Sequence, residues 1–116
     1  MEIGSEFQLV LSTVPNLEKG KEIGQSIVSS GLAACVNLVP GILSIYIWEG
    51  KQCEDDEVLL VIKTTGDKIP ALIGKIVENH PYKVPEIIAL PIIGGNENYL
   101  KWVRESTMKK TGEEMP

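Results

Sequence analysis

Leu32-Ala33-Ala34-Cys35-Val36-Asn37-Leu38-Val39-Pro40-Gly41-Ile42-Leu43-Ser44-Ile45-Tyr46-Ile47-Trp48-Glu49-Gly50-Lys51 is the stretch whose reading decides the fold. Leu32 to Val39 is extended, Pro40-Gly41 interrupts it, and Ile42 to Trp48 resumes as strand. Gly50-Lys51 then turns the chain back as a hairpin. A strand of typical length has about 5–6 residues, so this arm is unusually long. Beyond Pro40 both of its faces are partly apolar: Ile42, Tyr46 and Trp48 alternate with Leu43, Ile45 and Ile47. Helices on one face of a small sheet cannot cover both sides of such an arm, and an exposed apolar arm with open edges aggregates. Burial between subunits solves the problem. A twisted hairpin folding back on its own domain is the alternative.

Outward from the arm, the period of the apolar residues sets the other elements. Gln8 to Val14 is a buried strand stopped by Pro15. Leu17 to Ser30 is a helix with Ile23, Ile27 and Val28 on one face, and Gly31 is placed to end it in a left-handed cap. The acidic run Glu54 to Glu57 reads as a solvated turn before an apolar strand, Val58 to Thr64. Asp67 is placed to cap a helix in which Ile69, Leu72, Ile73, Ile76 and Val77 recur up to His80. Pro85 to Ile92 is a fourth strand. Gly94-Gly95 turns the chain, Asn96 can cap, and Tyr99, Leu100, Val103 and Met108 suit a last helix. The order is β-α-β-β-α-β plus a terminal helix. It predicts an α+β, ferredoxin-like (split β-α-β) sandwich with a long hairpin between the second and third strands and a C-terminal helix, assembled as a trimer.

The 116 residues suit one domain, expected over 8–108. Residues 1–7 read as a tag remnant or a disordered lead, and 109–116 as a flexible tail. The chain is 43% hydrophobic and 23% charged with a net charge of −5. No basic stripe suggests a nucleic-acid partner, and no apolar run approaches the ~20 residues of a membrane span. Two cysteines, Cys35 and Cys53, make no disulfide framework, so a cytoplasmic protein with reduced thiols is expected.

Chemistry concentrates in Asn79-His80-Pro81-Tyr82-Lys83-Val84-Pro85-Glu86-Ile87, a loop stiffened by two prolines between a helix and a strand. His80 is the only imidazole. It either closes its helix with local hydrogen bonds or serves as a metal ligand. Cys35 lies beside small alanines and reads as a small hydrophobe. A metal or redox thiol needs a neighbouring base or second thiol, and none is near in sequence. Lys63, Tyr82, Glu86 and Trp102 are pocket candidates. They form either a structural ion-pair set or an inter-subunit cleft for a small anion, which Cys35 and Trp48 would help line. No nucleophile elbow or phosphate loop is present, and no enzyme is expected.

The residues together resemble the CutA divalent-cation tolerance family. The matching stretches are Leu32 to Asn37; Ser44-Ile45-Tyr46 with Trp48 and Gly50; Glu57-Val58; Ile62-Lys63-Thr64; His80-Pro81-Tyr82; Pro85-Glu86; Leu90-Pro91; and Tyr99-Leu100 with Trp102. The resemblance implies a tight homotrimer whose long hairpins pair between subunits, and an architecture shared with the trimeric PII signalling proteins. It also implies a link to copper tolerance. Some bacterial members carry a cysteine where this chain has Ser12 and a histidine where it has Asn79. Only His80 remains of that set, so copper(II) or another divalent cation is expected to bind weakly. The expected function is a non-enzymatic homotrimer in divalent-cation tolerance. The alternatives are a PII-like small-ligand sensor or a trimeric scaffold for protein partners.

Overall fold

The computed structural model describes residues 6–108. In chain order the elements are β1 (Phe7–Val14), α1 (Leu17–Ser29), β2 (Cys35–Trp48), β3 (Lys51–Thr65), a single 3-10 turn (Gly66–Lys68), α2 (Ile69–Asn79), β4 (Ile87–Pro91) and α3 (Glu97–Met108). The sheet order is β2-β3-β1-β4, with every neighbouring pair antiparallel. β1 and β2 run parallel with β3 inserted between them, which is the split β-α-β arrangement expected. The residues predicted as tag and tail fall largely on 1–5 and 109–116, outside the described residues. Phe7 begins β1 opposite Thr65, and Glu6 pairs with Arg104 at 2.5 Å.

Alternation along β1 and β3 splits the sheet into two faces. Val10 and Val14 with Val58, Leu60 and Ile62 turn toward α1 and α2, where Ile23, Ile27, Leu72 and Ile76 close the main core. Phe7 and Ala34 turn the other way and meet Val103 of α3. The helices are therefore divided between the faces, and α3 covers only one end of the second. Asn16 starts α1 by accepting the Lys19 N–H at 2.8 Å, and Gly31 ends it at φ 78°. Gly20 lets the helix approach: a Cβ there would meet Leu38 and Val14 methyls at 3.2 Å.

Three expectations change. Val28 is exposed and lies off the buried stripe of Ile23 and Ile27. Asp67 does not cap α2; it lies in the 3-10 turn and accepts the Thr65 hydroxyl at 2.7 Å. The run Glu54 to Glu57 is strand, paired with Ile45 to Ile42, because the hairpin extends β3 through it. Glu54 and Asp56 face water, Asp55 accepts from Tyr46 of the arm, and Glu57 is buried against Tyr82, so alternation is satisfied without a turn. Asn96 does cap α3, accepting the N–H groups of Asn98 and Tyr99.

The arm is a continuous strand pair. Cys35 to Val39 oppose Lys63 to Leu59, a bulge at Pro40-Gly41 adds one residue, and Ile42 to Trp48 oppose Glu57 to Lys51. Gly41 sits at φ 80°, a left-handed conformation that favours glycine.

Candidate functional site

His80 ends α2 in extended geometry and is buried. Its Nδ1 accepts the Tyr82 N–H at 3.1 Å, so the neutral ring carries its proton on Nε2, which donates to the Thr13 carbonyl at 2.8 Å. Both nitrogens are thus committed, and the ring presents no free lone pair to a metal. In this geometry the imidazole fastens the loop to β1. The His80 and Tyr82 rings lie 4.7 Å apart.

Held in this way, Tyr82 donates from its hydroxyl to Glu57 at 2.7 Å. Burial, then the Glu57 carboxylate, pushes the Tyr82 phenol well above its ordinary pKa. Glu57 is only 7% exposed. Among the described residues no lysine, arginine or histidine reaches it. Asp55, two residues along the same face of β3, accepts from the Tyr46 hydroxyl, and this bond raises the Tyr46 pKa to about 12. These groups line a cleft of about 690 Å³ where the arm leaves the sheet; Trp48, Thr13, Ser44, Lys83 and Glu86 also line it.

Three of the predicted pocket residues, Trp48, Tyr82 and Glu86, therefore meet in one cleft of one subunit. Cys35, Lys63 and Trp102 do not join them. Lys63 lies farther along the sheet, where its Nζ contacts Asn37 Oδ1 and stands 3.9 Å from Cys35 Sγ. The Tyr99 phenol is raised by burial and by the same Cys35, and its ring lies 5.5 Å from that of Trp102. The thiol thus has a cationic neighbour across the strands that its sequence neighbourhood did not reveal. Lys63 and Glu86 make no ion pair within the subunit. Missed in the sequence were Thr13, Tyr46, Asp55 and Glu57. Reading Glu54 to Glu57 as strand would have placed Asp55 and Glu57 opposite Ser44 and Ile42.

The donor set does not fit a strong copper site. The imidazole is engaged at both nitrogens, and the Cys35 thiol stands beside an ammonium. Among the described residues no group of three or more histidine, cysteine, aspartate or glutamate side chains is placed to hold a metal. No helix among them is long and apolar enough to cross a membrane.

Residues 8–106 match the family model for the CutA1 divalent ion tolerance protein. The chain is 51% identical over 100 residues to the divalent-cation tolerance protein CutA of Thermus thermophilus, covering 86% of this chain and 97% of that one. It is 56% identical over 99 residues to the chloroplastic protein CutA 1 of Oryza sativa subsp. japonica, covering 85% of this chain but 56% of the relative, so it spans little more than half of that plant protein. The crystal structure of CutA1 from Oryza sativa superposes with a TM-score of 0.87 at 50% identity, over 94% of this chain and 100% of that one.

Proposed function

The chain belongs to the CutA1 divalent ion tolerance protein family, and from that membership we propose that it is a non-enzymatic, cytoplasmic homotrimer serving divalent-cation tolerance. The arm carries the proposal. In one subunit Leu43, Ile45 and Ile47 are 57%, 59% and 66% exposed, and Tyr46 and Trp48 stand open on the other face. Fully burying such a side chain contributes about 1.5–3 kcal/mol, so the arm alone offers several kcal/mol to a partner. Among the described residues the outer edges of β2 and β4 are also unpaired within the subunit. Pairing one subunit's β2 edge with another's β4 edge is a head-to-tail contact, and head-to-tail contacts make closed rings when the rotation permits.

The cation role in this reading is weak contact with copper(II) or another divalent ion, without a preformed metal centre. Native mass spectrometry with and without equimolar copper(II) tests both halves. The expected result is a three-subunit mass that binds metal below one ion per subunit at micromolar concentration. A monomer would overturn the assembly, and a tight stoichiometric metal would overturn the weak-contact reading. A second reading is a PII-like sensor that takes a small ligand. The aromatic and acidic cleft at the base of the arm favours it, and a ligand-dependent rise in melting temperature tests it.

A further inference from the structure

We propose that Lys63 of one subunit and Glu86 of the next form an ion pair that fixes the register of the seam between them. The pair rests on the head-to-tail assembly proposed above and names the contact that sets β2 of one copy against β4 of another.

The first support is Lys63. Cys35, Lys63, Leu9 and Leu90 lie in one row across the four strands, so an ammonium stands among leucines and a thiol. Lys63 is half-buried, and its Nζ leans toward the open β2 edge, where it contacts Asn37 Oδ1. Among the described residues no carboxylate lies within ion-pair distance of it. A charge on an apolar face that assembly covers is costly without a partner.

The second support is Glu86. It stands one residue ahead of β4, at the opposite edge of the sheet, exposed and with no cation within ion-pair distance among the described residues. Alternation puts it on the Lys63 face, four residues before Leu90. Neither β2 nor β4 contains a charged residue of its own. Each open edge therefore presents one charge, and the two are opposite in sign, the complementarity a head-to-tail contact uses. The flanks are apolar: Ile88 and Leu90 on β4 and Val39 on β2 are all exposed in the subunit.

The third support is distance. Within one subunit, Glu86 lies two strands across and four residues along from Lys63, roughly 16 Å at ~4.8 Å per strand and ~3.3 Å per residue. Across a seam the obstacle vanishes. β4 runs opposite to β2, so an antiparallel edge contact that sets Glu86 beside Asn37 brings carboxylate to ammonium. A slip of one residue turns Glu86 to the other face, so the pair holds one register. Asp55 and Glu57 are poorer partners, because each already accepts from a phenol.

The test uses the whole chain. A carbodiimide joins a carboxylate to an ammonium in direct contact. It should give covalent dimers and trimers on a denaturing gel, with Lys63 and Glu86 in the linked peptides. Subunit exchange between unlabelled and heavy-isotope protein, followed by native mass spectrometry, measures the seam. Lys63→Glu and Glu86→Lys should each exchange at least tenfold faster than the parent, and the double variant should return to within about threefold of it. Should Lys63→Glu fail to fold, Lys63→Met keeps the apolar stem. Glu86→Lys should then speed exchange less in the Lys63→Met background than in the parent. A monomeric parent overturns the trimer and the pair with it. The pair alone is overturned if a trimeric parent yields no Lys63–Glu86 peptide, if the single variants exchange as the parent does, or if the double variant shows no rescue.

Discussion

Replacing His80 with alanine separates a fastening role from a ligand role. The variant removes the donor to the Thr13 carbonyl and the acceptor for the Tyr82 N–H, both in a largely dry setting. A net hydrogen bond contributes about 1 kcal/mol, and a buried partner left unsatisfied costs about 1–3 kcal/mol. Allowing for partial rescue by water at Tyr82, the loss should be about 2–4 kcal/mol per subunit. Tyr82 also loses its anchor, so the bond to Glu57 weakens with it. Urea unfolding at fixed protein concentration reads the change. With a slope of about 2 kcal/mol per molar, the midpoint should fall by roughly 1–2 M. Copper(II) titration of the same variant should differ little from the parent, because no free ring nitrogen is being removed. An unchanged urea midpoint together with loss of the copper heat would refute the reasoning and return His80 to the metal.

Ile45→Glu should break the assembly, since it removes an apolar side chain and places a charge in a dry interface in every copy; light scattering at micromolar concentration should then report a monomer. Ser12→Ala should leave stability unchanged or raise it by about 1 kcal/mol, because the fully buried Ser12 Oγ has no partner among the described residues; a loss above about 1 kcal/mol in urea unfolding would show that it does bond. Tyr46 should ionise near pH 12 and Tyr82 above the ordinary tyrosine range, followed by ultraviolet absorbance. Each neutral phenol donates to a carboxylate, and its folded pKa lies above the unfolded one. This stabilisation is therefore complete below about pH 10 and is lost as pH rises through the folded values. Asp55→Asn should bring Tyr46 back toward the ordinary value while leaving Tyr82 high.

Much of the fold was legible because its signals are local. Gly31 marks the end of α1, and Pro15 stops β1. The 3.6-residue spacing of Leu72 and Ile76 shows which side of α2 is dry. What could not be read was pairing across strands. Glu57 looks like one of four acids in a row, and only its place on β3, beneath Tyr82, makes it buried. Cys35 and Lys63 are 28 residues apart, and only β2–β3 pairing sets them side by side. His80 was legible as a singular residue but not as an engaged one, because its partner carbonyl lies 67 residues earlier on β1. Lys63 and Glu86 were joined by their chemistry alone, yet they lie in different parts of the subunit.

The bulge at Pro40-Gly41 gives the arm a phase. Before it, β2 residues with odd numbers share a face with Lys63, Val61 and Leu59; after it, those with even numbers share that face with Glu57 and Asp55. The shifted frame puts Ile42, Tyr46 and Trp48 on the Glu57 face and Leu43, Ile45 and Ile47 on the opposite one. A slip of one residue would still form a hairpin, but Ser44, Tyr46 and Trp48 would point away from Asp55 and Glu57. A substitution such as Gly41→Val, strained at φ 80° in open surroundings, would thus act as a phase error. Such a protein keeps its core while erasing the cleft, so its damage to the cleft exceeds what the strain at one residue subtracts from the stability of the domain.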